Sequence, residues 1–331
     1  MTLRAAWVPF VESRKVASVR LRTYNPVKIL QAKGHDVRVL AGGLPSPDEV
    51  LVLQKAYADQ HLEMARRHRQ AGGAAVLDLC DNHFVTDGDP VLAARATRLT
   101  RLLDNVDVVS VCTDQLGEAV PHPSVATVND ALDPVHPDGW SSRWARSFHS
   151  KQRVVWFGTA GAHDLPFGMR DLQRVLPALG RIAKERPFEL LIMSNSRKAF
   201  AQLVRPPELS VRYVPWSARR FTLAAAVSDV AILPVEINDV TRGKSSNRVA
   251  TALQHRLCVV TDPLPSYLAF AECVRLGDYE RHVTEYLESA SLRAADVATG
   301  QRIVKRLYAP EVIADEWTQV LQGALLRARQ R

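Results

Sequence analysis

Residues 211–267 read VRYVPWSARRFTLAAAVSDVAILPVEINDVTRGKSSNRVATALQHRLCVVTDPLPSY, and this stretch decides the fold. Short β-rich apolar runs near 210–214, 229–233 and 257–261 alternate with helical patterns near 217–227 and 245–256. Strands separated by a helix each time pair side by side in parallel, because a parallel pair needs a crossover long enough to be a helix. The stretch therefore predicts a parallel sheet covered by helices.

The alternation continues on both sides. Towards the C-terminus lie helices near 278–289 and 291–307 and a last helix near 310–329, rich in Ala, Leu and Arg. Before the stretch lie strands near 153–157 and 188–193 and a helix near 169–184. Residues 130–152, DALDPVHPDGWSSRWARSFHSKQ, break the rhythm: they are polar, hold Pro and Trp, and show no period. In front of them the alternation runs again, with strands near 4–9, 36–41, 50–54, 74–79, 106–112 and 125–128. The helices there fall near 20–33, 57–71, 91–104 and 113–119, the first stopped at Lys33-Gly34. The reading is α/β, two Rossmann-like doubly wound domains facing a cleft, with boundaries at 1–135, 136–310 and a C-terminal helix at 311–331.

Composition sets outer limits. The chain has 331 residues, 47% hydrophobic and 24% charged, an ordinary globular profile that excludes disordered, collagen-like and coiled-coil chains. No apolar run approaches the roughly 18–20 residues of a membrane span. No small-residue cleavage site follows the N-terminal apolar run, so we expect no signal peptide and a cytoplasmic protein. Cys80, Cys112, Cys258 and Cys273 lie far apart with no CxxC pair, which predicts reduced core thiols and no zinc site. Net charge is +8, and only nine of the 43 basic residues are lysine. No basic stripe with interleaved aromatics supports nucleic-acid binding.

Ligands of open α/β sheets bind beyond the carboxyl ends of the strands, so the strand exits hold the candidate chemistry. After 229–233, Ser245, Ser246 and Asn247 open a helix between Lys244 and Arg248; free N–H groups and cations there suit an anion, and ordinary capping accounts for them as well. After 153–157, Gly158 and Thr159 begin a glycine-containing loop running to His163, which matches neither GxGxxG nor a Walker loop. Ser194 and Asn195 follow the strand 188–193. Pro215 and Trp216 follow 210–214, where they either wall a base pocket or pack a core. Asp81, Asn82 and His83 follow 74–79 and suit sugar-hydroxyl or acid–base work. Arg14, Lys15, Arg20 and Arg22 follow the first strand as an acceptor-side loop or a solvated charge run.

Together these residues resemble the GT-B glycosyltransferases, of the retaining "group 1", family 4-like type. The resemblance rests on residues 211–267, with Asp229-Val230, Pro234 and Cys258-Val259-Val260 at its motif positions. Lys33-Gly34-His35-Asp36-Val37 and Asp107-Val108-Val109 with Thr113 and Leu116 support it. It implies transfer of a sugar from a nucleotide diphosphate sugar to a small-molecule or lipid-linked acceptor, with retention, no cofactor and no metal. It also implies a last helix packed back on the first domain. Asp81, His83 and Lys244 are then the catalytic candidates. Gly158, Thr159, Ser194, Asn195, Pro215, Trp216, Ser245, Ser246, Asn247 and Arg248 hold the donor, and Arg20, Arg22 and Asn82 face the acceptor. Partners are the donor and acceptor, no nucleic acid, and at most a peripheral membrane through the arginines.

The sequence departs from the family at two places. Aligning Cys258-Val259-Val260 puts Gly243 and Thr251 where the family carries a pair of glutamates. Phe167 and Gly168 stand where it places a lysine, with Arg170 nearby, and Lys244 and Arg248 are the expected substitutes. The alternative is a catalytically divergent or accessory GT-B protein that binds a nucleotide sugar without ordinary transfer.

Overall fold

Alternating strand faces organise the first half. In β3 (Val50–Gln54), Val50 and Val52 point to one side of the sheet and Leu51 and Leu53 to the other, all fully buried. A strand buried on both faces belongs inside a parallel sheet covered by helices. The computed structural model describes residues 2–135, 151–161 and 167–331, and it forms that sheet in the order β2-β1-β3-β4-β5-β6. The other strands are β1 (Arg4–Pro9), β2 (Asp36–Val39), β4 (Ala75–Leu79), β5 (Val108–Val111) and β6 (Val125–Thr127), every pair parallel.

Helices cover both faces of this sheet. The first begins as α1 (Ala17–Val19), passes through a π-helical turn at Arg20–Tyr24 and continues as α2 (Asn25–Ala32). On the opposite face lie α3 (Asp59–Gln70) and α4 (Pro90–Leu103), whose Ala65, Leu99, Leu102 and Leu103 join Leu51 and Leu53. A short α5 (Asp114–Glu118) starts at Thr113, whose hydroxyl accepts the Leu116 N–H.

The second sheet has the order β12-β11-β10-β7-β8-β9, again all parallel. Its strands are β7 (Arg153–Phe157), β8 (Glu189–Ser194), β9 (Ser210–Pro215), β10 (Val230–Leu233), β11 (Cys258–Thr261) and β12 (Arg275–Leu276). Counted from β7 this is the 3-2-1-4-5-6 order of dinucleotide-binding sheets, with its switch point between β7 and β10. The first sheet instead runs 2-1-3-4-5-6, so the two halves are not two copies of one topology. Helices α6 (Met169–Glu185), α7 (Arg197–Ala201), α8 (Ala218–Ala226), α9 (Asn247–Gln254), α10 (Tyr279–Glu288) and α11 (Ala290–Tyr308) complete this half.

The chain divides into two compact units. One holds Met1–Asp133, Arg242–Ser245 and Arg306–Arg331, the other Pro134–Thr241 and Ser246–Lys305. The expected second domain at 136–310 therefore loses two pieces to the first unit: the four residues 242–245 and the start of the C-terminal segment at Arg306. The last helix, α12 (Pro310–Arg329), buries Ile313, Trp317, Val320 and Leu321 among Leu3, Trp7, Val27 and Leu30. Trp7 and Trp317 meet edge to face with centroids 5.3 Å apart, an arrangement aromatic pairs favour.

Candidate functional site

In the first unit, the exits of β3 and β4 and the segment Arg242–Ser245 meet in one charged cluster. Lys55, the residue after β3, donates to Asp81 Oδ2 at 2.6 Å, and Lys244 donates to Asp81 Oδ1 at 2.8 Å. All three side chains are largely buried, with relative exposures of 13% for Lys55, 21% for Asp81 and 22% for Lys244. Burial alone would raise the Asp81 carboxyl, yet the two ammonium groups hold it well below the usual carboxylate range. Burial opposes the charge on Lys55 as well, and Asp81 outweighs it to give a raised pKa. Lys55 has φ +52, a left-handed backbone for a side-chain-bearing residue, a strain of the kind found at functional sites.

His83 completes the cluster. Its Nδ1 lies 2.9 Å from the Tyr57 hydroxyl and its Nε2 4.0 Å from Asp81 Oδ2. Burial, reinforced by Lys55, pushes its pKa down to about 3, so the imidazole is neutral at physiological pH. A neutral imidazole exchanges hydrogen bonds with a hydroxyl and adds no charge. Asn82 turns inward on the chain, its Oδ1 accepting the Phe84 N–H at 3.1 Å.

Two expected acceptor-side arginines are corrected. Arg22 is fully buried, its Nε donating to Asp78 at 3.2 Å and its Nη1 reaching Asp130 at 3.4 Å and the Val128 carbonyl. A guanidinium this enclosed holds the fold and has no face left for a ligand. Arg20 is held by Asp133 at 2.7 Å and by the Arg14 carbonyl at 2.9 Å. Ser245, expected on the donor, donates to Asp130 at 2.5 Å within the first unit. Lys244 likewise belongs to the first unit's Asp81 cluster. Arg69 and Arg331 are both turned to Asp107.

In the second unit, several of the expected donor residues neighbour one another at the exits of β7, β8 and β9. Arg248 Nη2 donates to the Phe157 carbonyl at 2.6 Å, directly beside Gly158. A Cβ on Gly158 would stand 3.2 Å from that Arg248 nitrogen and 3.3 Å from the Trp156 ring. Asn195 Oδ1 accepts the Ala160 N–H at 2.9 Å, and the Ser194 hydroxyl donates to the same oxygen at 3.2 Å. The Thr159 hydroxyl accepts the Gly161 N–H at 3.2 Å. Trp216 N–H donates to the Ser194 carbonyl at 2.9 Å, fixing the Pro215-Trp216 exit of β9 against that of β8. Trp216 is half-buried, which removes the core-tryptophan reading. Ser217 caps α8. Ser246 is the N-cap residue of α9, and Asn247 its first residue; the Ser246 side chain makes no capping bond.

Close backbone approach holds the glycine loop. A Cβ on Gly161 would fall 2.4 Å from the Phe167 carbonyl, and one on Gly168 would fall 2.8 Å from the Ala160 carbonyl. Asp171 ties this loop to the exit of β10, accepting the Gly168 N–H at 2.9 Å and the Glu236 N–H at 3.3 Å. His163 and most of the 130–152 stretch lie outside the described residues. Lys55 and Tyr57 were missed in the sequence. The exit of the β3 run marked them, but a single lysine carries no motif.

Among the described residues, no group of three or more His, Cys, Asp or Glu is placed to hold a metal ion, and no helix is long and apolar enough to cross a membrane.

No family model and no curated protein sequence matches this chain. Solved structures do. HepE from Anabaena, in complex with UDP, superposes with a TM-score of 0.69 at 10% identity, over 97% of this chain and 100% of its own. WaaG, a glycosyltransferase involved in lipopolysaccharide biosynthesis, gives 0.63 at 14% identity, over 95% and 99%. TarM from S. aureus, in complex with UDP, gives 0.62 at 10% identity over 83% of this chain. This chain spans 56% of the TarM chain and 58% of the chain in the GtfA/B complex. The fold is the GT-B glycosyltransferase fold.

Proposed function

We propose that this protein transfers a glycosyl group from a nucleotide diphosphate sugar to an acceptor, with retention and without a metal. The observation that carries the reading is the second unit's switch point. There the Gly158 loop, Asn195 and Arg248 gather at the carboxyl ends of β7 and β8, where such sheets bind nucleotides. UDP in the HepE and TarM structures supports a nucleotide at this kind of fold. The chemistry asked of the site is stabilisation of a departing diphosphate. Backbone N–H groups and Arg248 supply it through preorganised positive potential. In the first unit, neutral His83 and Tyr57 are suited to hydroxyl contacts, while Asp81 positions Lys55 and Lys244.

The test is incubation with UDP-, GDP- and dTDP-sugars, watching for free nucleoside diphosphate. Release from sugars of one base class is expected, unchanged by EDTA. Loss of turnover in EDTA, restored by a divalent ion, would remove the metal-free reading. A second reading, a nucleotide-sugar-binding protein without ordinary transfer, is favoured by one observation. Gly243 stands at an expected glutamate position, and its carbonyl accepts the Thr113 hydroxyl at 2.9 Å. Nucleotide binding with no diphosphate release from any donor and acceptor pair supports that second reading.

A further inference from the structure

The second sheet ends on an open edge. Of the four outer strands, β9 is the longest at six residues, against four, three and two in β2, β6 and β12. It pairs with β8 on one side and, among the described residues, with no strand on the other. The Trp216 N–H, just beyond β9, donates to the Ser194 carbonyl. Successive residues of a strand turn their backbone groups to opposite sides, so Arg212 and Val214 face β8 while Val211 and Tyr213 offer N–H and C=O groups to the open side. A long unpaired edge is a template for another strand.

Positive charge gathers at this edge. Residues 196–220 hold six basic side chains and one acidic, a net +5 in a chain of +8. Two of these cations are held by aromatic rings. Arg197, on α7, lies over Tyr213 at 5.6 Å from the ring centroid, and Arg205 lies over Phe200 at 4.9 Å. The two rings meet with centroids 5.1 Å apart. Both arginines are exposed, and neither pairs with a carboxylate among the described residues. A guanidinium stacked on a ring keeps its N–H fork for an anion. Tyr213 therefore brings open backbone groups and oriented cations to one place on the edge.

We propose that β9 receives an extended acidic segment of a partner protein as a seventh strand of the second sheet. The backbone groups of Val211 and Tyr213 pair with the segment. Its carboxylates, at every second position, meet Arg197 and Arg205 on the face that carries α7. A peptide fits this edge better than other polyanions do. A bilayer cannot satisfy the open N–H and C=O groups, and Val204 is the one large apolar side chain of residues 196–220 that is exposed. Nucleic-acid bases need free aromatic faces, whereas Phe200 and Tyr213 are taken by each other and by the arginines.

The probe is a labelled peptide of alternating glutamate and threonine, titrated into wild-type protein and the double variant Arg197→Gln, Arg205→Gln. Phosphatidylserine vesicles and single-stranded DNA serve as rival ligands. Saturable peptide binding is expected, weakened about tenfold or more in the variant. Hydrogen exchange at the Val211 and Tyr213 amides should slow when the peptide binds. Both arginines are exposed, so the variant keeps the wild-type urea midpoint. No peptide binding, or equal affinity in the variant, overturns the proposal. So does binding without added protection at Val211 and Tyr213, which would leave a charge contact and no strand. Tighter binding of vesicles or DNA than of the peptide, lost in the variant, assigns the edge to that ligand and overturns the peptide assignment.

Discussion

Asp81 and His83 show how position in a cluster sets the role of a titratable side chain. Two lysines hold Asp81 as a carboxylate and bond both of its oxygens, so in the proposed reading it positions the lysines. His83 has a folded-state pKa of about 3, below its ordinary 6.5. As pH falls, the unfolded chain takes up this proton first, so His83 leaves stability intact above pH about 6.5 and costs stability progressively from there down to about 3. Each such histidine contributes a slope of at most about 1.4 kcal/mol per pH unit. Urea melts of His83→Gln between pH 4 and 7 should show a shallower decline than wild type; an identical slope would contradict a neutral buried His83. Arg22 was read from sequence as part of a loop facing an acceptor, because four cations in nine residues look alike on paper. Burial separates them, and Asp78 and Asp130, which decide Arg22's place, lie 56 and 108 residues away. Arg22→Met should destabilise the protein by about 3–5 kcal/mol, by leaving those carboxylates buried without their partner; a cost under about 1 kcal/mol would place Arg22 in solvent.

At the scale of elements, periodicity and stop signals carried most of the information. Every strand read from the alternation is present, and the Lys33-Gly34 stop is a left-handed cap, with Gly34 at φ +84 and the His35 N–H returning to the Leu30 carbonyl. What escaped was short: α7, the two-residue β12 and the 3-10 turn at Pro265–Phe270. Elements of two to six residues hold too few positions to show a period. Helix α9 ends in the same geometry as α2 without a glycine. Arg256 has φ +63, its N–H donates to the Leu253 carbonyl, and the Leu257 N–H donates to the Ala252 carbonyl. Arg256→Gly should therefore stabilise the protein by about 1 kcal/mol, read as a higher urea midpoint. A lowered midpoint would mean that the arginine side chain matters more than its backbone. In the glycine loop the opposite holds. Gly161→Ala places a methyl against the Phe167 carbonyl at a φ of +86, and it should disturb nucleotide binding before it disturbs the rest of the fold.

At the scale of the whole molecule, the class of fold was readable while its assembly from segments was not. Alternation of strands and helices specifies parallel sheets, but the strand order depends on which crossovers pack where, and the two sheets differ in it. Nor does local pattern reveal that residues 242–245, lying between two elements of the second unit, belong to the first. That placement takes Lys244 to Asp81 and leaves Arg248 alone of the pair at the glycine loop. The C-terminal helix belongs to the first unit's core through Trp317, so Trp317→Ala should cost about 3–5 kcal/mol, and removal of α12 should prevent that unit from folding. The central claim, a nucleotide diphosphate held by the second unit's switch-point loops, is tested most directly by calorimetric titration of UDP, GDP and dTDP into wild-type protein and Arg248→Met. The account predicts saturable binding of one nucleotide class by wild type and at least tenfold weaker binding by the variant; no binding of any of the three, or equal affinity in both proteins, would contradict it.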